Sequence, residues 1–309
     1  MSSFNIRNSG AESFAAPSSS RILQFLLGEG VFPQILFALL FGILLFLILF
    51  SVESLIDIYN HYFYAKTALI PHTITDGRSI VFRQDPTDPK ASMILPSDNE
   101  RTGVEFTYSF FLFVEPGTFD APSDTVVKLK QVFYKGYTRP FPLLGPGVFI
   151  RSDENTMRIF MNSYKNWYSY VDVKNIPLQK WFHCAIVYRA NNLEVFINGN
   201  MTGRISMEDT YPYQNYQNLV VFGKANYNSG DKKYTPAGAI GDVQEKYLVS
   251  GSMSGQISRL TYSRYAMTFS EIQADVNAGP SSTVDMPGNQ AASSYIQNIL
   301  TDTWYTAGE

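Results

Sequence analysis

Hydrophobic and polar positions divide the chain into two unlike parts. From Gly30 to Val52 no residue is charged, and Phe37 to Phe50 (FALLFGILLFLILF) is almost continuously apolar. About 20 such residues let a helix cross the hydrocarbon core of a bilayer, and a buried helix of a soluble protein rarely lacks a polar face for that length. A transmembrane helix is therefore predicted. The run is too long and begins too late for a cleaved signal peptide, and Glu53 rather than a small-residue cleavage site follows it. Tyr59, Tyr62, Phe63 and Tyr64 come next, as amphipathic rings at the headgroup level do. Arg7 and Arg21 precede the span while Glu53 and Asp57 follow it, which places the amino terminus on the cytoplasmic side; Lys66 counts against that orientation.

Beyond Pro71, Pro86, Pro89 and Pro96 the pattern changes to short β-favouring runs separated by turn residues, the signature of an all-β domain. Phe106 to Val114 (FTYSFFLFV) is apolar or β-favouring throughout and ends at Pro116-Gly117, as a central strand covered on both faces does. Shorter runs follow at 148–151, 157–162, 181–188, 193–197, 219–223 and 255–262. Leu193 to Ile197 alternates and meets Asn198-Gly199, a pair that tolerates the positive φ angles of a tight hairpin turn. The organisation read from this is a Ser- and Ala-rich flexible tail at 1–20, the transmembrane helix with a juxtamembrane extension at 21–66, a connector at 67–103, the β domain at 104–279 and a C-terminal tail at 280–309.

Three separated patterns in this region carry a resemblance. Lys180-Trp181-Phe182-His183-Cys184-Ala185-Ile186-Val187-Tyr188, then Leu193 to Gly199, resembles the centre of laminin-G-like, concanavalin-A-like domains. Gly255-Gln256-Ile257 to Tyr262, followed by Phe269-Ser270-Glu271-Ile272, resembles the closing strand and short helix of that family, with Ser270 as the expected cap. The resemblance implies a mainly β protein: an antiparallel jelly-roll β-sandwich behind one N-terminal transmembrane helix. Ser97 to Ser109, placed behind a membrane helix, is also similar to membrane-anchored members of this fold in large DNA viruses, some of which are minor capsid proteins.

Composition narrows the chemistry. Aromatic residues make up 15% of the chain and charged residues 17%, which suits half-buried strands. A net charge of −3 offers no basic surface for a polyanion, so nucleic acid is not an expected partner. Cys184 is the lone cysteine; no internal disulfide is possible, and its apolar run marks it as a buried structural thiol. Glycoside hydrolases on this fold use carboxylates one strand repeat apart, but the sequence contains no Glu-x-Asp, and Asp98-Asn99-Glu100 reads as a solvated turn. His61, His72 and His183 are scattered, so neither a triad nor a zinc site is expected, and His183 reads as a packed or hydrogen-bonded position. The resemblance allows calcium, for which Asp153, Glu154, Asp209, Asp231 and Asp242 are oxygen donors without a recognisable loop motif. No cofactor is otherwise indicated.

What remains is an aromatic, amide-rich surface. Tyr164, Trp167, Tyr168 and Tyr170 lie in one connection, and Tyr211, Tyr213, Asn215, Tyr216, Asn226, Tyr227 and Asn228 in others. Flat rings with amides recognise sugars, and the same Tyr and Trp anchor protein interfaces. The leading ligand or partner residues are Tyr164, Trp167, Tyr168, Tyr211, Tyr213, Tyr216, Asn226 and Tyr227. Lys224 to Ser254 is long for a strand connection, and Asn200-Met201-Thr202 is a glycosylation sequon that matters only in a secretory lumen. The function expected is non-enzymatic attachment: a single-pass membrane protein whose sandwich binds a neighbouring structural protein. By the resemblance, that setting is a virion inner membrane with the sandwich on the capsid side. A membrane-tethered lectin binding a glycan is the alternative, and a glycoside hydrolase the third reading.

Overall fold

The computed structural model describes residues 31–89, 91–97, 103–120, 126–137, 141, 143–207, 211–228 and 246–285. The chain separates into two compact units, 1–63 and 64–309. The expected tail at 1–20 lies outside the described residues. In the first unit, helix α1 (Val31–Tyr64) contains an apolar stretch, Gln34–Ile56, with mean hydropathy 3.1 and no residue buried within the molecule. At 1.5 Å per residue these 23 residues extend for about 35 Å, more than the hydrocarbon core requires. Phe37 stacks on Phe41 and Phe46 on Phe50, one turn apart. Length and composition therefore give one helix among the described residues that is able to span a membrane. Tyr59 is half exposed; the side chains of Tyr62, Phe63 and Tyr64 lie outside the described residues.

The second unit is a two-sheet sandwich. The strands are β1 (Lys66–Thr75), β2 (Ile80–Phe82), β3 (Phe106–Val114), β4 (Val127–Gly136), β5 (Leu144–Arg151), β6 (Thr156–Phe160), β7 (Tyr170–Lys174), β8 (Trp181–Arg189), β9 (Asn192–Ile197), β10 (Asn200–Ser206), β11 (Leu219–Val221), β12 (Tyr227–Asn228), β13 (Tyr247–Ser252) and β14 (Gly255–Ser263). Sheet A runs β1-β14-β3-β8-β9-β10. Sheet B runs β12-β13-β4-β5-β6-β7, with β11 bridging β4 and β2. Every pairing is antiparallel except β13 with β4, which is parallel.

The side-chain period of two explains the layers. Along β3, Phe106, Tyr108, Phe110, Leu112 and Val114 enter the inter-sheet core, and β3 lies between β14 and β8 as a central strand does. Phe133 crosses from sheet B, its ring 5.1 Å from Phe110 and 6.1 Å from Tyr108. Phe133→Ala should therefore cost about 3–5 kcal/mol in urea unfolding, and Phe133→Leu much less, because only the first leaves a ring-sized cavity. Equal losses in both variants would show that volume at this position does not matter.

Both outer faces are covered in part. Helix α2 (Phe269–Ala278) lies over sheet A, where Ala185, Val187, Phe196, Tyr265, Met267 and Ile272 form a small cluster. Its cap is Thr268, not Ser270. The Thr268 hydroxyl accepts from Glu271 N, and the Glu271 carboxylate accepts from Thr268 N at 2.8 Å, a reciprocal capping box that Ser270, inside the first turn, cannot form. On the outside of sheet B, Phe141 packs against Phe149, Phe160, Tyr227 and Tyr247. Beneath it Arg158, 1% exposed, makes a bidentate pair with Asp172 (2.7 and 2.6 Å) and lies 3.8 Å from the centre of the Tyr170 ring.

Three sequence boundaries are corrected. The connector at 67–103 holds β1 and β2, both members of the sheets. Pro71 suggested irregular chain, but β1 is an edge strand whose ladder is interrupted between Ile70 and Thr73, where a residue without an N–H is tolerated. The tail at 280–309 begins by returning to β1: Thr73 donates to Thr283 O and accepts from Asp285 N, and Arg78 pairs with Asp285 at 3.3 Å. Residues 286–309 lie outside the described residues. The connection at 224–254 holds β12 and β13, with 229–245 outside the described residues. By contrast Asn198 and Gly199 have φ of 48° and 81°, the hairpin turn that their identities predict.

Candidate binding site

Two connections are zipped together by backbone bonds. Ser163 bridges Pro212, Tyr164 N donates to Tyr211 O at 3.2 Å, and Tyr213 N donates to Asn162 O at 2.8 Å. The first connection is itself a tight turn: the Ser163 hydroxyl donates to Asn166 O and accepts from Asn166 N, while Asn166 Oδ1 accepts from Tyr168 N. This brings Tyr164, Tyr211 and Tyr213 to one place. The Tyr164 ring meets the Tyr213 ring edge-on at 5.2 Å. Tyr164, Tyr211 and Tyr216 are 60%, 61% and 70% exposed, whereas Tyr213 is half-buried.

The other sequence-chosen residues are placed differently. Tyr168 and Tyr227 are buried on the outer face of sheet B, and Trp167 and Tyr170 pack against the same cluster, so these rings belong to the packing of that face rather than to the exposed tyrosines. Burial raises the Tyr168 phenol, with Tyr227 adding to the shift. Asn226 and Asn228 are exposed beside Tyr227, and Asn226 Oδ1 accepts from Gly251 N.

Beside Tyr213 the same segment forms one wall of a shallow cleft open to solvent, with room for about one water molecule. Gln214, Asn215 and Tyr216 face Ile94, Leu95 and Pro96 across it. The floor is Phe106, Tyr108 and Tyr262 from the inner face of sheet A, with Lys135 and Gly145 from sheet B. A Cβ at Gly145 would lie 2.7 Å from Tyr213 O and 2.8 Å from Asn215 Nδ2, so glycine lets this wall approach the sheet. Lys135 is 4% exposed, and its ammonium donates to Asn215 O at 2.5 Å and Gln217 O at 2.9 Å. Burial pushes that ammonium down to about 8. Burial likewise raises Tyr108, and Tyr188 to about 12, with Tyr262 and Tyr211 respectively adding to the shifts.

Sequence reasoning missed Lys135, and the cause is a β-bulge. Opposite Val148, β4 supplies two residues, Val132 and Phe133, which both enter the core. Uninterrupted alternation from Lys128 and Lys130 would have sent residue 135 to the other face. A bulge of this kind leaves no mark in residue type.

The catalytic and metal alternatives can be placed as well. Ser109, His183 and Asp275 meet beneath α2, but the carboxylate holds the serine rather than the histidine: Ser109 Oγ lies 2.8 Å from His183 Nε2 and donates to Asp275 at 3.0 Å. Ser109 is 3% exposed, so no substrate reaches it. Burial raises the Cys184 thiol, in keeping with a structural residue. Asp153 and Glu154 are ion-paired with Arg151, and no group of three metal-ligating side chains occurs among the described residues. Asp98, Glu100, Asp209, Asp231 and Asp242 lie outside the described residues.

Comparison with known proteins agrees with the architecture. No curated protein matches the chain. The receptor-binding domain of botulinum neurotoxin D superimposes with a TM-score of 0.41 at 11% identity, over 69% of this chain and 44% of that one. The binding domain of Paraclostridial Mosquitocidal Protein 1 gives 0.40 at 10% identity, over 69% and 46%. The chain spans less than half the length of either. A family model for the concanavalin A-like lectin/glucanases superfamily matches residues 89–245. With that match over half of its length and a two-sheet sandwich around it, the chain belongs to the concanavalin A-like lectin/glucanases superfamily, in its laminin-G-like form.

Proposed function

We propose that the chain is a binding module without catalytic activity, tethered to a bilayer by α1 and presenting its tyrosine cluster to a neighbouring protein layer. The observation that carries this reading is the cluster itself. Tyr164 and Tyr211 are more than half exposed, yet the backbone beneath them is fixed by paired hydrogen bonds and a bridge. Rigid, exposed tyrosines lose little entropy on binding and are enriched at the centres of protein interfaces. The buried Ser109–His183–Asp275 arrangement supports a non-catalytic role, since it lacks both access and the geometry of a nucleophile. The likeness of Ser97 to Ser109 to membrane-anchored viral proteins points to a capsid over an inner membrane as the setting.

The test is a photocrosslinking amino acid in place of Tyr164, used in native membranes or particles. A conjugate with one structural protein is expected, and Tyr164→Ala with Tyr211→Ala should weaken that association by about tenfold to thirtyfold. Conjugates with glycans alone would replace this role by the lectin one.

A further inference from the structure

We infer that the part of the sandwich around Ala65, where Leu95 and Phe269 stand exposed, rests on the lipid headgroups, which goes beyond the tether proposed above and relies on it. Chain length carries the inference. The apolar stretch of α1 ends at Ile56 and the helix continues to Tyr64, so residues 57–64 add about 12 Å at 1.5 Å per residue. Ala65 follows directly and already belongs to the sandwich: it is 3% exposed, shares a cluster with Tyr265, Met267 and Ile272, and accepts from Arg264 N at 2.8 Å. The headgroup layer is about 5–8 Å deep on each side of the hydrocarbon, so at any angle of the helix the surface at Ala65 lies within about 10 Å of that layer. Tilting, which a stretch longer than the hydrocarbon core favours, shortens the gap.

Two exposed apolar side chains flank this point. Met267 leads through the Thr268 cap to Phe269, 61% exposed in the first turn of α2, and the same turn reaches back to the start of β1, where Glu271 pairs with Lys66 at 3.9 Å. On the other side Arg264 Nε donates to Pro96 O at 3.0 Å, which brings in Leu95, 47% exposed. The helix has no structural need of Phe269. Thr268 and Glu271 form the capping box, and Met267 and Ile272 share one cluster in the positions of a hydrophobic staple. Apolar and aromatic side chains leave water readily at the headgroup boundary, and the tether keeps the lipid at high effective concentration, so a small gain from each is enough. Because Glu271 matches Lys66, the contact draws on apolar area rather than on anionic lipid.

The full-length chain in phosphatidylcholine vesicles provides the test. Its lone cysteine, Cys184, is buried, so an environment-sensitive fluorophore can be placed on Phe269→Cys, Leu95→Cys or Val284→Cys in turn. Val284 is also exposed and apolar, but it pairs with Thr73, seven residues along β1 from Lys66 and about 20 Å away. Emission from positions 269 and 95 should be blue-shifted and quenched by shallow spin-labelled lipid at least about twofold more than emission from 284. Adding Phe269→Asp should bring quenching at 95 down towards that at 284, while the urea midpoint stays unchanged. Equal quenching at all three positions overturns the inference. Protection of 269 in native membranes without quenching in vesicles also overturns it, in favour of a protein cover. A probe on Leu44→Cys, inside the apolar stretch, separates the two readings: if deep spin-labelled lipid quenches it while 269 and 95 behave like 284, the headgroup contact fails alone, and if it too is unquenched, the tether fails as well.

Discussion

Lowering the pH from 6.5 to about 4 is expected to remove about 3 kcal/mol of stability from the β unit through His183 alone. The ring is fully buried, and burial pushes it down to about 4, an effect that the nearby Asp275 carboxylate only partly offsets. The bonding explains why the neutral form is required. Ser109 has one proton, and it goes to Asp275; the serine oxygen must then accept from His183 Nε2–H. His183 Nδ1 is buried with no hydrogen-bond partner, so a second proton there would be a desolvated charge. The sign follows directly. Below 6.5 the unfolded chain binds a proton that the folded chain refuses, so stability is complete above 6.5 and declines as pH falls towards 4. Urea unfolding across this range should show the slope, and His183→Gln, which keeps a neutral donor and cannot titrate, should flatten it. An unchanged slope in that variant would assign the acid sensitivity elsewhere. Glu271, held below the ordinary carboxylate range despite burial by its bonds to Tyr265 and Thr268, contributes only at lower pH.

His183 also shows what a sequence can and cannot reveal. Its place in the strand pattern announced a packed, hydrogen-bonded residue, but its partner Ser109 comes from β3, 74 positions away, and no local signal names it. The same division runs through the fold. Features written in one short stretch were legible: the charge-free run of α1, the almost wholly buried β3, and the Asn198-Gly199 turn, whose positive φ angles suit those residue types. Features that depend on pairing across the sandwich were not. Pro71 looked like a connector until an irregular edge ladder absorbed it, and nothing in the sequence marked Lys135, which a bulge turns inward. Within the candidate surface, composition named the tyrosines but could not separate the exposed Tyr164, Tyr211 and Tyr216 from Tyr168 and Tyr227, which are buried on the outer face of sheet B. Tyrosine serves both purposes because its ring is apolar and its hydroxyl polar, so only the neighbours decide.

The largest expected effect concerns attachment to lipid. Gln34–Ile56 holds seventeen Leu, Ile, Phe and Val residues. At roughly 0.3–0.6 kcal/mol each, these favour insertion by about 5–10 kcal/mol, so the full chain should remain with membranes through an alkaline carbonate wash. Two arginines at the centre of the run cost about 5–7 kcal/mol together, which cancels most of that gain. The double variant Leu44→Arg, Leu47→Arg should therefore appear largely in the wash, whereas Leu44→Ile, Leu47→Ile should not. Because the sandwich keeps its own core, the released double-arginine protein should retain the acid transition set by His183. Release of the unaltered chain by the same wash would mean that the exposed apolar face of α1 is covered by protein instead of lipid. The tether would then be a contact between chains.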